Sequence, residues 1–194
     1  MTGFVERKRK ALHRMECNDR SKKGAVDEPI EELVDNINSK RDYYTTSSCS
    51  GRILLLHEPP SRKKNMHEWP YVTHEQATAE PFIKALGELK GSEGRVWFRM
   101  QTCILHVACR DIEAARKLLG AFYSHGWKRS GIFSMEHDVV VELLSVEGID
   151  VPVMDSGRLL VPEDYLSVLV ELANDKLRVA HEKIISALVR LEQL

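Results

Sequence analysis

No apolar run in this sequence approaches the roughly 20 residues that a membrane-spanning helix requires, so no membrane partner is expected. The basic N-terminus, MTGFVERKRKAL, is not followed by an apolar stretch, which argues against a secretory signal and leaves the cytoplasm as the expected compartment. Cysteine is scarce: Cys17, Cys49, Cys103 and Cys109 form no CxxC pair and no dense framework, so reduced thiols are expected. His106 and Cys109 are close in sequence, but they lie in a strand-like run where an i,i+3 pair points to opposite faces, so no metal site is expected. The glycine fingerprint GxGxxG is missing, which removes the Rossmann-type dinucleotide turn. GxxxxGK[ST], HExxH and GxSxG are missing as well, and with them the P-loop, the zinc-protease helix and the hydrolase elbow. An excess of one charge is also lacking: 28 Lys and Arg face 29 Asp and Glu, so no global polyanion-binding signature exists.

The apolar fraction of 43% suits a globular chain that buries a core, and 1–194 reads as a single compact domain. Basic residues cluster in its first third, as Arg7 to Lys10, Arg20 to Lys23, Lys40-Arg41 and Arg62 to Lys64. Any one such run is an ordinary solvated surface; four together make a local phosphate-binding face. Residues 2 to 18 read as a basic amphipathic helix with Phe4, Val5, Leu12 and Met15 on its apolar side. Asp27 is placed to cap a second helix whose Ile30, Leu33, Val34 and Ile37 follow helical spacing, with Pro29 in the first turn. Tyr43 to Thr46 and Ile53 to Leu56 read as strands. The stretch 59–78, with three prolines, reads as a long polar loop. A helix over Thr78 to Lys90 precedes strands at Arg95 to Gln101 and Cys103 to Cys109, and Asp111 caps the helix that follows. Strands at Lys128 to Met135, Asp138 to Ser145 and near Val151 to Val153 lead to a helix of nearly 30 residues opened by Pro162. Leu169, Leu172, Ala173, Ala180, Ile184, Leu188 and Leu191 make its stripe, and part of it is free to pack on a second copy of the chain. The element order implies α/β (α+β) layers: a mixed sheet with flanking helices and a long C-terminal helix.

Four segments could carry chemistry. TTSSCSGR, Thr45 to Arg52, packs five hydroxyls, a thiol, a glycine and an arginine into eight residues. Hydroxyls bind polar ligands, Gly51 permits close backbone approach, and Arg52 offers a planar fork for carboxylate or phosphate. A polar hairpin turning at Gly51 is the plain alternative. ILHVACRD, Ile104 to Asp111, looks like a strand entering a helix cap; His106 faces away from Leu105 and Val107, as a structural residue or a general base. KRSGIFS places Ser130 and Gly131 in a strand pattern, where glycine suggests a bulge or a close approach. In the polar loop, Trp69 and His74 lie near Arg62, Lys63 and Lys64, a mixture that suits base stacking with phosphate contact, or a tryptophan pinned to the core.

The order DRSKKGAVD, IEELVDNINSKRDYYTTSSCSGRI, VWFRMQTCILHVACRDIEAARKLL, WKRSGIFS and LVELANDKL resembles the wybutosine-synthesis methyltransferase family, the third enzyme of that tRNA pathway, from about Phe4 to Leu177. The SxSSCxGR-like core is matched by TTSSCSGR, with Thr45 where the family often has serine. The resemblance implies an S-adenosylmethionine-dependent enzyme, with a fold distinct from the common Rossmann-like methyltransferase fold, in keeping with the missing fingerprint. Its implied substrate is tRNA-Phe, methylated on N-4 of the tricyclic base built from guanosine 37 in the anticodon loop. On that basis Ser47, Ser48, Cys49, Ser50, Gly51, Arg52, Arg110, Ser130 and Gly131 are expected to bind cofactor or substrate. His106 is the first candidate for general base, ahead of Asp27 and Asp111. Lys22, Lys23, Arg62, Lys63, Lys64, Trp69 and His74 are expected on the tRNA. A non-catalytic factor presenting the modified base to another enzyme would use the same basic face.

Overall fold

The computed structural model describes residues 2–17, 26–61 and 66–191. In chain order the elements are α1 (Thr2–Cys17), α2 (Glu28–Ser39), β1 (Tyr43–Cys49), β2 (Arg52–Glu58), β3 (Glu68–Thr73), α3 (Ala79–Glu88), β4 (Arg95–Gln101), β5 (Ile104–Cys109), α4 (Ile112–Tyr123), β6 (Gly131–Ser134), β7 (Val139–Leu144), β8 (Gly148–Asp155), β9 (Arg158–Leu159) and α5 (Glu163–Leu191). The chain packs as two compact units, one of Met1–Ser50, Cys103–Val146 and Ala180–Leu194, the other of Gly51–Thr102 and Glu147–Val179. The expected α+β class, flanking helices and long C-terminal helix are found, with the strands divided between two antiparallel sheets.

The first unit holds the sheet ordered β1-β5-β7-β6. Leu105 and Val107 of β5 and Val141 and Leu143 of β7 are wholly buried on one face, as alternation requires. In α2, Ile30, Leu33, Val34 and Ile37 are buried at the spacing the sequence shows. Helix α4 starts where Asp111 accepts a hydrogen bond from the Ala114 amide and buries Ala115, Leu118 and Phe122. Trp127, fully buried, meets Phe122 edge-on at 5.1 Å and donates its indole N–H to the Lys183 carbonyl. Helix α1 lays Phe4, Ala11 and Leu12 against Tyr44, Ala108 and Val140 on the other face of the sheet. Val5, expected on the apolar side of α1, is 65% exposed, because it sits one helical step round from Phe4.

The second unit holds the sheet ordered β3-β2-β4-β8-β9. Ile53 to Leu56 are buried on both faces of β2, the continuous apolar run expected of an interior strand. Phe82 of α3 packs between Tyr71, 4.6 Å away, and Phe98, 5.3 Å away. Strand β3 lies within the stretch read as a polar loop. Trp69, Tyr71 and Val72 favour extended backbone, and Pro70 is tolerated because β3 is an edge strand. Other bounds differ as well: Cys103 precedes β5, and β6 spans only Gly131–Ser134. Among the described residues, no helix is long and apolar enough to cross a membrane.

Candidate functional site

The TTSSCSGR segment is not a hairpin. Strand β1 runs on to Cys49 and β2 begins at Arg52, but β1 pairs with β5 while β2 pairs with β3 and β4. The segment is therefore the passage from one sheet to the other. Thr45 is buried, and its amide lies 2.8 Å, and its hydroxyl 3.1 Å, from Asn38 Oδ1 of α2. Thr46 is the extra residue of a β-bulge, since Thr45 pairs with Val107 and Ser47 already pairs with His106. Its hydroxyl donates to the His106 carbonyl. The bulge sets Ser47 beside His106, with Oγ 2.8 Å from Nδ1. Ser48 and Cys49 follow, half-buried.

Ser50 is fully buried and held by Asp27: its amide and hydroxyl both donate to Asp27 Oδ2, at 2.9 and 3.2 Å. Asp27 occupies the N-cap position of α2, as expected, yet makes no side-chain cap bond. Its carboxylate is directed to Ser50 instead. Gly51 has φ 103°, in the left-handed region that side chains resist, so the turn into β2 requires glycine.

In the second unit, Arg52 donates from Nε to Gln101 Oε1 at 2.7 Å, across the β2–β4 pair in which the two residues are directly opposed. Its guanidinium lies 4.3 Å from the centre of the Trp69 ring. Trp69 is 41% exposed. The guanidinium is thus stacked on a ring and aimed by an amide, which orients a cation for an anionic ligand. His74 lies just past β3, half-buried.

His106 sits as its alternation implied, away from Leu105 and Val107. Its Nε2 lies 3.1 Å from Glu142 Oε2 of β7, and Phe133 lies with its ring centre 4.8 Å from the imidazole. Asp111 serves as the α4 cap. Arg110 is paired with Asp42 and, more distantly at 3.8 Å, with Asp111. Ser130 is buried and accepts the Leu144 amide, so its oxygen extends the β6–β7 edge. Gly131 pairs with Glu142. Lys22, Lys23, Arg62, Lys63 and Lys64 lie outside the described residues. Burial pushes the Cys109 thiol up to about 12, which makes it a core group rather than a nucleophile. Gln101, Glu142 and Phe133 are site neighbours that the sequence did not single out. Only the alternation of β4 and β7 marks Gln101 and Glu142, and it does not say what they face.

The family model described as "Methyltransferase TYW3" matches residues 6–193. A Methanocaldococcus jannaschii protein named tRNA(Phe) 7-((3-amino-3-carboxypropyl)-4-demethylwyosine(37)-N(4))-methyltransferase is 36% identical over 194 residues, covering 99% of this chain and 98% of its own. A Thermococcus sibiricus protein of the same name is 38% identical over 93% of this chain and 90% of its own. The solved structure of the PH1069 protein from Pyrococcus horikoshii superposes with a TM-score of 0.88 at 35% identity, over 98% of this chain and 96% of that one. A match across nearly the whole chain, in sequence and in fold, means that this chain belongs to the TYW3 methyltransferase family.

Proposed function

We propose that this protein transfers a methyl group from S-adenosylmethionine to N-4 of the wyosine-type tricyclic base at position 37 of tRNA(Phe). The relatives described above carry that activity in their names. The observation that carries the reading to these residues is the pair of hydrogen bonds by which buried Asp27 holds Ser50. They fix buried Ser50 from behind, so the end of TTSSCSGR is a built element and not a solvated turn.

The donor set fits the cofactor. Arg52, stacked on Trp69 and aimed by Gln101, suits an amino-acid carboxylate. When bound, S-adenosylmethionine supplies a methyl group already activated on a sulfonium. What remains for the protein is alignment and the removal of a ring N–H proton. His106 is the residue for the proton, because one ring nitrogen faces a hydroxyl and the other a carboxylate. Lys22, Lys23 and Arg62 to Lys64 would hold the anticodon stem, and Trp69 and His74 would lie against the loop.

The test is transfer of labelled methyl from S-adenosylmethionine to tRNA(Phe) bearing the unmethylated tricyclic base. Transfer at N-4 is expected. Tight tRNA binding without transfer would overturn the enzyme in favour of a factor that presents the base.

A further inference from the structure

On the α1-bearing face of the first sheet, Phe4, Ala11 and Leu12 roof the row formed by Tyr44, Ala108 and Val140. The next row along the strands is Ser47, His106, Glu142 and Gly131, aligned across β1, β5, β7 and β6 by the strand register. Its polar members touch in sequence. Ser47 Oγ is 2.8 Å from His106 Nδ1, and His106 Nε2 is 3.1 Å from Glu142 Oε2. The row is accessible: Ser47 is exposed, and the His106 and Glu142 side chains are 21% and 29% exposed.

Two further residues make this row a seat rather than a surface ladder. Phe133 is the extra residue where β6 slips against β7, and it is 65% exposed while its ring leans on His106. A large exposed aromatic beside a hydrogen-bonded polar chain is the composition of a ligand-binding surface, since packing leaves most of its area unused. Gly131 closes the row, and neither backbone nor packing requires glycine there. It lies outside the positive-φ glycines, and a Cβ built on it meets nothing within 4 Å. Its effect is to leave the space beside Glu142 open.

We infer that this row seats the acceptor base, with the heterocycle on Phe133 over Gly131, its ring N–H on Ser47, and Glu142 as the positioning residue for His106. The inference rests on the methyl-transfer reading above. Glu142 accepts the Nε2 proton, so Nδ1 keeps its lone pair and accepts from the Ser47 hydroxyl. As the ring nitrogen forms its bond to the methyl carbon, its proton passes to Ser47 Oγ and the Ser47 proton passes to Nδ1. The pair of the broken carbon–sulfur bond stays on sulfur. The imidazolium is formed against the Glu142 carboxylate, which stabilises it, and it returns its proton to solvent.

The experiment uses the full chain, S-adenosylmethionine and an anticodon stem-loop RNA carrying the unmethylated tricyclic base. Steady-state methyl transfer is measured together with the ¹⁵N shifts of the His106 ring and with Tm. For Glu142→Ala, kcat is expected to fall by about 100-fold, with KM for the RNA within about twofold, and the ¹⁵N pattern is expected to lose its single tautomer. Glu142→Gln, which retains an acceptor, is expected to keep the tautomer and more of kcat. Gly131→Leu and Phe133→Ala are expected to raise KM about tenfold, the size of one lost stacking contact, at unchanged Tm. Wild-type kinetics in Glu142→Ala and Gly131→Leu would overturn the seat and leave methyl transfer standing. A fall in Tm that tracks the fall in kcat would reduce the row to a structural one. Absence of transfer by the wild type would overturn both readings.

Discussion

Asp27 could have capped α2, and its carboxylate instead receives the amide and hydroxyl of Ser50. Removing it leaves two donors in a buried site, and each buried group left unmatched costs about 1–3 kcal/mol. Asp27→Ala is therefore expected to lower unfolding free energy by about 2–6 kcal/mol, read by denaturant titration, and to abolish methyl transfer. Asp27→Asn, which keeps one acceptor oxygen, should lose less stability. Arg52 makes the opposite case. It is half-buried at the surface of a sheet whose core does not depend on it, so Arg52→Ala is expected to lose methyl transfer while Tm holds. Arg52→Lys should recover little, since an ammonium keeps the charge but loses the planar fork that Gln101 aims and Trp69 stacks. Normal turnover in Arg52→Ala would remove the proposed role. The outward face of His106 was legible from simple alternation. Its partner Glu142 was not, because the pair is 36 residues apart and joined only by the β5–β7 register.

At the scale of elements, α1 is tied to its sheet by one ionic knot. Arg7 binds Asp138 through Nε at 2.9 Å and Nη2 at 2.5 Å, and the Tyr44 hydroxyl donates to the same carboxylate at 2.7 Å. Burial alone would raise the Asp138 pKa, but hydrogen bonds from Arg7 and Tyr44 outweigh it and hold the group below the ordinary carboxylate value. Burial and Asp138 push the Tyr44 phenol up to about 12, so it remains a donor throughout the physiological range. A carboxyl whose pKa is lower folded than unfolded stabilises fully above its unfolded value, about 4, and loses that contribution as pH falls through the folded one. Amide exchange in α1 is thus expected to speed up relative to α4 below about pH 4, and Asp138→Asn should remove that acid step. An unchanged α1-to-α4 ratio across the step would show that the knot does not anchor the helix. The helices themselves were legible because their period of 3.6 survives any tertiary arrangement. The α5 stripe was legible in part: Leu169, Ala173, Ala180, Ile184 and Leu191 are buried, whereas Leu172 is 49% exposed. It stands roughly 100° round the helix from the middle of the buried arc, which a count of leucines does not register. Strand β3 was hidden by its proline, Pro70, since edge position is a property of the sheet and not of the segment.

At the scale of the whole molecule, the division of the strands between two sheets was not legible, because β1 and β2 are neighbours in sequence and partners of different strands. The same division explains why TTSSCSGR read alone suggests a hairpin. Whole-chain charge is equally uninformative taken as a sum: a net charge of −1 conceals basic runs in the first third. If Lys22, Lys23, Arg62, Lys63 and Lys64 each neutralise one phosphate, log affinity for tRNA should fall against log salt with a slope of about −0.7 to −0.9 per contact. Five contacts then give a loss of about a hundredfold or more between 50 and 200 mM salt, by the same relation. Replacing the five by serine should flatten the slope toward zero and weaken binding to every tRNA alike, because phosphate contacts carry no sequence information. Methyl transfer at saturating RNA should survive that change, since it draws on TTSSCSGR and not on the basic runs. A steep slope that persists in the five-serine variant would move the phosphate-binding face to other residues of the chain.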